Sequence, residues 1–209
     1  MTELLNQTAP PQVFEQPFAG EQLPAPSYER QKLLLGMVDK GLISESFYSS
    51  GAAESFVIDE ETKVDAIAHL LIGDEYGGAH HLPSLLELGS GDITIASTIA
   101  ARDGSVKHAT PGRLRQDQKL GGNGVFKALE VSIKDREGNT VRKDGGSTMF
   151  PLEWSTQDVL EAVIATSQTE GTAIEGQDIN KHLAEVNGVK VVAITDAMSG
   201  KIISAYPRR

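Results

Sequence analysis

Apolar residues fall at positions 64, 67, 68, 70 and 71 of VDAIAHLL, the three-and-four spacing of a helix with one buried face. Asp59 stands ahead of them as the expected N-cap and Gly73 behind them as a stop, which puts His69 in the last turn. A second helical pattern runs from Tyr28 to Leu42 (YERQKLLLGMVDKGL) and ends at a glycine. Beyond residue 90 the period changes. ITIAST alternates by twos, and VFKALEVSIKDREGNTVRK predicts two strands joined at Glu137-Gly138-Asn139. WSTQDVLEAVIATS returns to helical spacing, with Ser155 or Thr156 as cap and Pro151 ahead of it. VKVVAITDAMSGKIISAYP closes the chain as two apolar strands about a Ser199-Gly200 turn. Helices segregated from antiparallel hairpins predict an α+β fold.

Residues 1–28 follow neither period. Five prolines lie among them, so they read as a flexible arm or linker, leaving 29–209 as the folded domain. No internal repeat is present. Thirty-nine per cent hydrophobic residues over 209 positions are enough to bury a core. No apolar run approaches the roughly 18 residues that span a bilayer, and MTELLNQTAPPQ has neither a basic start nor an apolar stretch, so no membrane segment and no classical export signal are expected. With no cysteine, thiolate nucleophiles, thiolate metal sites and disulfides are excluded.

A net charge of −10 argues against a protein that coats nucleic acid non-specifically. The distribution is uneven, however. Ser44 to Glu75 holds eight acids and one lysine, whereas Lys107 to Lys143 holds nine Lys or Arg against four acids. One face can therefore accept phosphate while another repels it, although solvated surface alone also accounts for such runs.

HLLIGDEYGGAHH, residues 69–81, concentrates three of the five histidines. Three readings are open. A helix C-terminus favours histidine and a capping glycine without any chemistry. Two histidines from separate turns suit a proton-transfer pair, because an unperturbed pKa of about 6.5 makes both forms available near neutrality; Gly77 and Gly78 would let backbone approach a phosphate. His69, Asp74 and His80 are also legal metal ligands, with manganese a candidate ion, although the spacing matches no standard zinc pattern.

His69, Gly73, Asp74, Gly77, Gly78 and His80 appear in the order His-x-x-x-Gly-Asp then Gly-Gly-x-His, which resembles the two-histidine signature of the EndoU endoribonucleases. KDGGSTMFPLEWSTQDVLEAV is similar to the bacterial family's Lys, Ser-Thr-x-Phe-Pro-x-x-Trp and helix, and IISAYP to its closing strand. The resemblance covers residues 59–207. It implies an EndoU-like α+β fold and an RNA-cleaving enzyme that prefers uridine, leaves a 2′,3′-cyclic phosphate and requires no metal. His80 would be the general base on the 2′-OH and His69 the general acid on the departing oxygen. Lys143 would offset charge at the phosphate, with Lys127 as the alternative; His81, beside His80, could exchange places with it or contact substrate. Tyr206 would support the ribose or stack near the base. Ser204 or Ser147 would recognise uracil, and Gly78 would pass close to the phosphate. The resemblance further implies a bacterial toxin, secreted or delivered into a target cell's cytoplasm as in contact-dependent inhibition, cutting an RNA such as tRNA and neutralised by an immunity protein. A catalytically silent binding module on the same fold is the alternative. His108 and His182, outside these motifs, are expected on the surface, and Phe150 and Trp154 are expected to pack a helix onto a sheet.

Overall fold

The computed structural model describes residues 25–59, 62, 64–74, 77–88, 97–100, 106–109, 124–128, 131–134, 140–143 and 147–208. Helices α1 (Ala25–Asp39), α2 (Glu45–Ser49), α3 (Ala66–Leu71) and α4 (Leu82–Leu88) come first. Six strands follow: β1 (Ser97–Ala100), β2 (Val106–Ala109), β3 (Phe126–Ala128), β4 (Val131–Lys134), β5 (Thr140–Lys143) and β6 (Ser147–Met149). Then come α5 (Thr156–Ser167) and β7 (Gly171–Ala173), β8 (Ile179–Val186), β9 (Val189–Asp196) and β10 (Ile202–Arg208). The strands form two antiparallel four-stranded sheets, ordered β2-β1-β3-β6 and β10-β9-β8-β7, and a separate β4-β5 pair. The fold is α+β, as the periodicity predicts.

The C-terminal sheet and α5 make the firmest layer. Val159, Leu160 and Val163 of α5 are fully buried, and each such side chain contributes about 2 kcal/mol. They meet Val191 and Ala193 of β9 and Ala205 of β10 in the core. Ser155 caps α5 through a reciprocal box with Asp158. Phe150 is buried and stacks on Trp154 at 5.7 Å between ring centroids, packing the start of this helix as expected. The hairpin between β9 and β10 turns through Gly200, as the sequence predicts.

Four expectations change. The first helix starts at Ala25 rather than Tyr28, so residues 25–28 of the expected arm belong to it; Pro26 lies in the first turn, where a missing N–H costs nothing. Residues 1–24 of that arm lie outside the described residues. The cap of α3 is Asp65, not Asp59: Asp65 accepts from Ile67 N and Ala68 N, while Asp59 accepts from Thr62 N in a turn. VFKALEVSIK is not one strand. Phe126–Ala128 pairs with β6, and Val131–Lys134 turns away to pair with Thr140–Lys143; positions 93–96 of ITIAST and the turn at 137–139 lie outside the described residues. His182 is buried rather than exposed, accepting from Thr195 Oγ1 at 3.0 Å and donating from Nδ1 to Thr169 O at 2.8 Å. It lies on β8, where Asn180, His182 and Ala184 alternate with Lys181, half-exposed Leu183 and exposed Glu185. Its two ring hydrogen bonds satisfy the buried imidazole. For His108 only the strand pairing, opposite Thr98, is described.

A candidate proton-transfer site between the third helix and the last strand

The site begins with the end of α3. Gly73, at φ +84°, stops the helix and donates from its backbone N to Ala68 O, turning the chain so that Asp74 faces back toward His69. The His69 Nδ1–H donates to both Asp74 oxygens, at 2.9 and 3.1 Å. A carboxylate can only accept, so the proton of neutral His69 is held on Nδ1 and Nε2 is left as the atom that exchanges protons.

The chain then doubles back along α3. Gly77, Gly78 and Ala79 all have positive φ, at 133°, 70° and 54°. Ala79 N donates to His69 O and His80 N to Leu70 O, which brings the second histidine beside the first. Glycine at 78 is a steric requirement, since a Cβ there would lie 1.7 Å from His69 O. A left-handed alanine costs about 1 kcal/mol, and Ala79, fully buried, is kept in that conformation by its bond to His69.

His80 is oriented from the opposite side. Its Nδ1 is 2.7 Å from Thr148 O on β6 and 3.0 Å from the Ser147 hydroxyl. The Thr148 carbonyl fixes the proton on Nδ1, as Asp74 does for His69. Ser147, only 2% exposed, turns its own proton to the carbonyls of Gly78 and Ala79 at 3.2 and 3.0 Å. It ties the glycine loop to the sheet. Tyr206 approaches His80 from β10, with ring centroids 6.1 Å apart. Ser204, two residues earlier on the same strand, lines a pocket of about 430 Å³ together with His69, Val57, Val64, Ile203 and Asp196.

The adjacent histidines separate completely. His81 is fully buried; its Nε2–H donates to Trp154 O at 3.0 Å and its Nδ1 accepts from Ser84, which accepts in turn from Thr156. Burial pushes its pKa down to about 4. This histidine is a packed hydrogen-bond hub joining α4 to α5. Lys127 pairs across the sheet with Thr148, next to the His80 anchor, whereas Lys143 pairs with Val131 in the two-stranded β4-β5 unit; the side chains of both lysines lie outside the described residues. Among the described residues no three His, Asp or Glu side chains converge as a metal ion requires, and no helix is long and apolar enough to cross a membrane.

Sequence reasoning missed two contributors: the Thr148 carbonyl, because backbone acceptors leave no residue-type signal, and Arg30, whose partners lie 23 to 35 residues away.

Two imidazoles oriented through Nδ1, beside a tyrosine and a pocket, are groups that can carry proton transfer. The family model for the bacterial EndoU nuclease matches residues 63–209, and the chain belongs to that family; it is a nuclease domain. No curated protein and no solved structure matches the chain.

Proposed function

We propose that the protein is a uridine-preferring endoribonuclease that works without a metal ion. The observation that supports this best is the matched orientation of the two imidazoles, each with Nδ1 committed to an acceptor. In the proposed reaction His80 Nε2 takes the proton of the ribose 2′-OH. The 2′-oxygen forms a bond to phosphorus, the bond from phosphorus to the 5′-oxygen breaks, and His69 gives a proton to that departing oxygen. The products are a 2′,3′-cyclic phosphate and a 5′-hydroxyl. Two histidines of fixed tautomer supply both proton transfers, which together account for a large share of such a rate enhancement. Lys143 stabilises the charge that builds on the phosphate, with Lys127 as the alternative supported by its pairing beside Thr148.

Ser204, partly buried and lining the pocket, is the better uracil contact; Ser147 is buried against the loop and acts through His80. Tyr206 supports the ribose from its position beside His80. A role as a delivered antibacterial toxin, neutralised by an immunity protein, accords with family membership.

A short fluorescent RNA with one uridine, incubated in excess chelator, tests the reading. Cleavage 3′ of the uridine to a cyclic phosphate is expected, abolished in His69→Ala and His80→Ala. Lys143→Ala and Lys127→Ala assign the lysine by which of them loses turnover, and Ser204→Ala should weaken the preference for uridine over cytidine. Activity that appears only with added manganese refutes metal independence. No cleavage under any condition moves the reading to a silent binding module.

A further inference from the structure

We infer that Arg30, on a helix outside the matched residues 63–209, is a positioning residue for His69; this rests on the nuclease reading above. Arg30 is 5% exposed, and all five of its N–H donors are used. Nε donates to Asp65 Oδ2 at 2.6 Å and Nη2 to Asp65 Oδ1 at 2.8 Å. Nη1 donates to Phe56 O at 2.7 Å and Ala53 O at 3.3 Å, and Nη2 also to Val57 O at 2.7 Å.

Asp65 is where this clamp meets the chemistry. Its Oδ1 caps α3 by accepting from Ile67 N and Ala68 N, and its backbone oxygen accepts from His69 N at 2.8 Å. Helix α3 has six residues, too short to hold its own shape, so its direction is set by what grips its ends. The far end is set by Gly73 and the glycine loop, and the near end by the Arg30–Asp65 fork. A bidentate guanidinium–carboxylate pair fixes orientation as well as distance.

The same guanidinium grips the segment at Val57 that walls the pocket. Val57 donates to Ile202 O on β10 at 2.8 Å and accepts from Ala66 N, so the clamp links α1, the pocket wall, the start of α3 and the strand carrying Ser204. Residues with no chemistry of their own thus control the angle at which the proposed acid reaches the departing oxygen. Releasing the fork lets the start of α3 swing about its C-terminal anchor and changes the angle of His69, while the Thr148 carbonyl keeps its hold on the His80 ring.

The test separates positioning from folding. Removing Arg30 alone strands a largely buried carboxylate, so the main variant is the neutral pair Arg30→Met with Asp65→Asn, which retains a capping side chain. It is compared with the full wild-type chain on two substrates, the dinucleotide uridylyl-(3′→5′)-adenosine and uridine 3′-(4-nitrophenyl phosphate). The aryl ester releases nitrophenolate, which departs without a proton donor, so its cleavage bypasses the general acid. On the dinucleotide kcat should fall by about 10- to 100-fold, the scale of an ångström-level misplacement, with KM little changed. On the aryl ester the loss should be far smaller, whereas His80→Ala should lose both.

An equal loss on both substrates, or no loss on the dinucleotide, overturns the inference. If the double variant fails to unfold cooperatively in urea, Arg30→Lys decides in the same way, since it keeps the charge but cannot make the fork. A wild-type chain that cleaves neither substrate removes the nuclease reading itself and this role with it. Wild-type cleavage without the substrate-dependent split removes the positioning role alone.

Discussion

Gly78→Ala is the substitution whose consequence can be worked most directly from the geometry. The new Cβ would stand 1.7 Å from His69 O and 2.5 Å from His69 C, contacts that side-chain rotation cannot relieve because both atoms are backbone. The loop must therefore move away from α3 by more than 1 Å. That movement breaks the Ala79 N to His69 O bond and loosens His80 N to Leu70 O, at about 0.5–1.5 kcal/mol each. The φ of +70° adds about 1–2 kcal/mol for a residue with a Cβ. The sum is roughly 2–5 kcal/mol of stability. Gly188→Ala is the control: it has φ +77° in the β8-β9 turn but nothing within 4 Å of its Cβ, so only the conformational term of about 1–2 kcal/mol applies. Urea unfolding followed through the single Trp154 measures both variants. Nuclease turnover should fall about 100-fold or more in Gly78→Ala, since one histidine moves relative to the other, and stay unchanged in Gly188→Ala. Equal destabilisation of the two variants, or full activity in Gly78→Ala, would refute the steric account of the loop.

Three further outcomes follow from single contacts. Asp74→Asn replaces a charge-assisted bond to His69 by a neutral one, a difference of roughly 1–2 kcal/mol, and should lower kcat by about 5- to 30-fold with little change in KM, read by steady-state kinetics on a dinucleotide. His81 is held neutral with its pKa lowered from 6.5 to about 4. The unfolded chain therefore binds the extra proton first, and the contribution of His81 is present above pH 6.5 and is lost as pH falls toward 4. That loss amounts to roughly 3 kcal/mol. His81→Gln can make both ring hydrogen bonds without titrating, so urea midpoints at pH 7 and pH 4.5 should differ less in the variant than in the wild type. Identical acid sensitivity in the two would rule out His81 as the source. Ser155→Ala removes the acceptor for Asp158 N and should cost about 1 kcal/mol by thermal or urea unfolding, leaving cleavage intact.

The division between sequence and structure runs through particular residues. Period fixes α5 and the β9-β10 hairpin because their apolar positions repeat cleanly and their caps and turns use the residue types those geometries demand. It also places His69 at a helix end and Gly73 after it. It fails on β8, whose one buried position is the polar His182, and on Asp59 against Asp65, since either aspartate could cap a helix and only packing chooses.

The motif named the two histidine positions and the glycines between them, but it could not separate His80 from His81, because neighbouring residues have the same chemistry in sequence and opposite fates in a fold. Tertiary structure separates them: one ring is held by Thr148 and lies near Tyr206, the other is buried and bonded to the Trp154 carbonyl. It also brings Arg30 onto Asp65 across 35 positions of chain. Local spacing determined which residues could do chemistry. Which of them are oriented for it depends on contacts between distant segments, and those exist only once the core has formed.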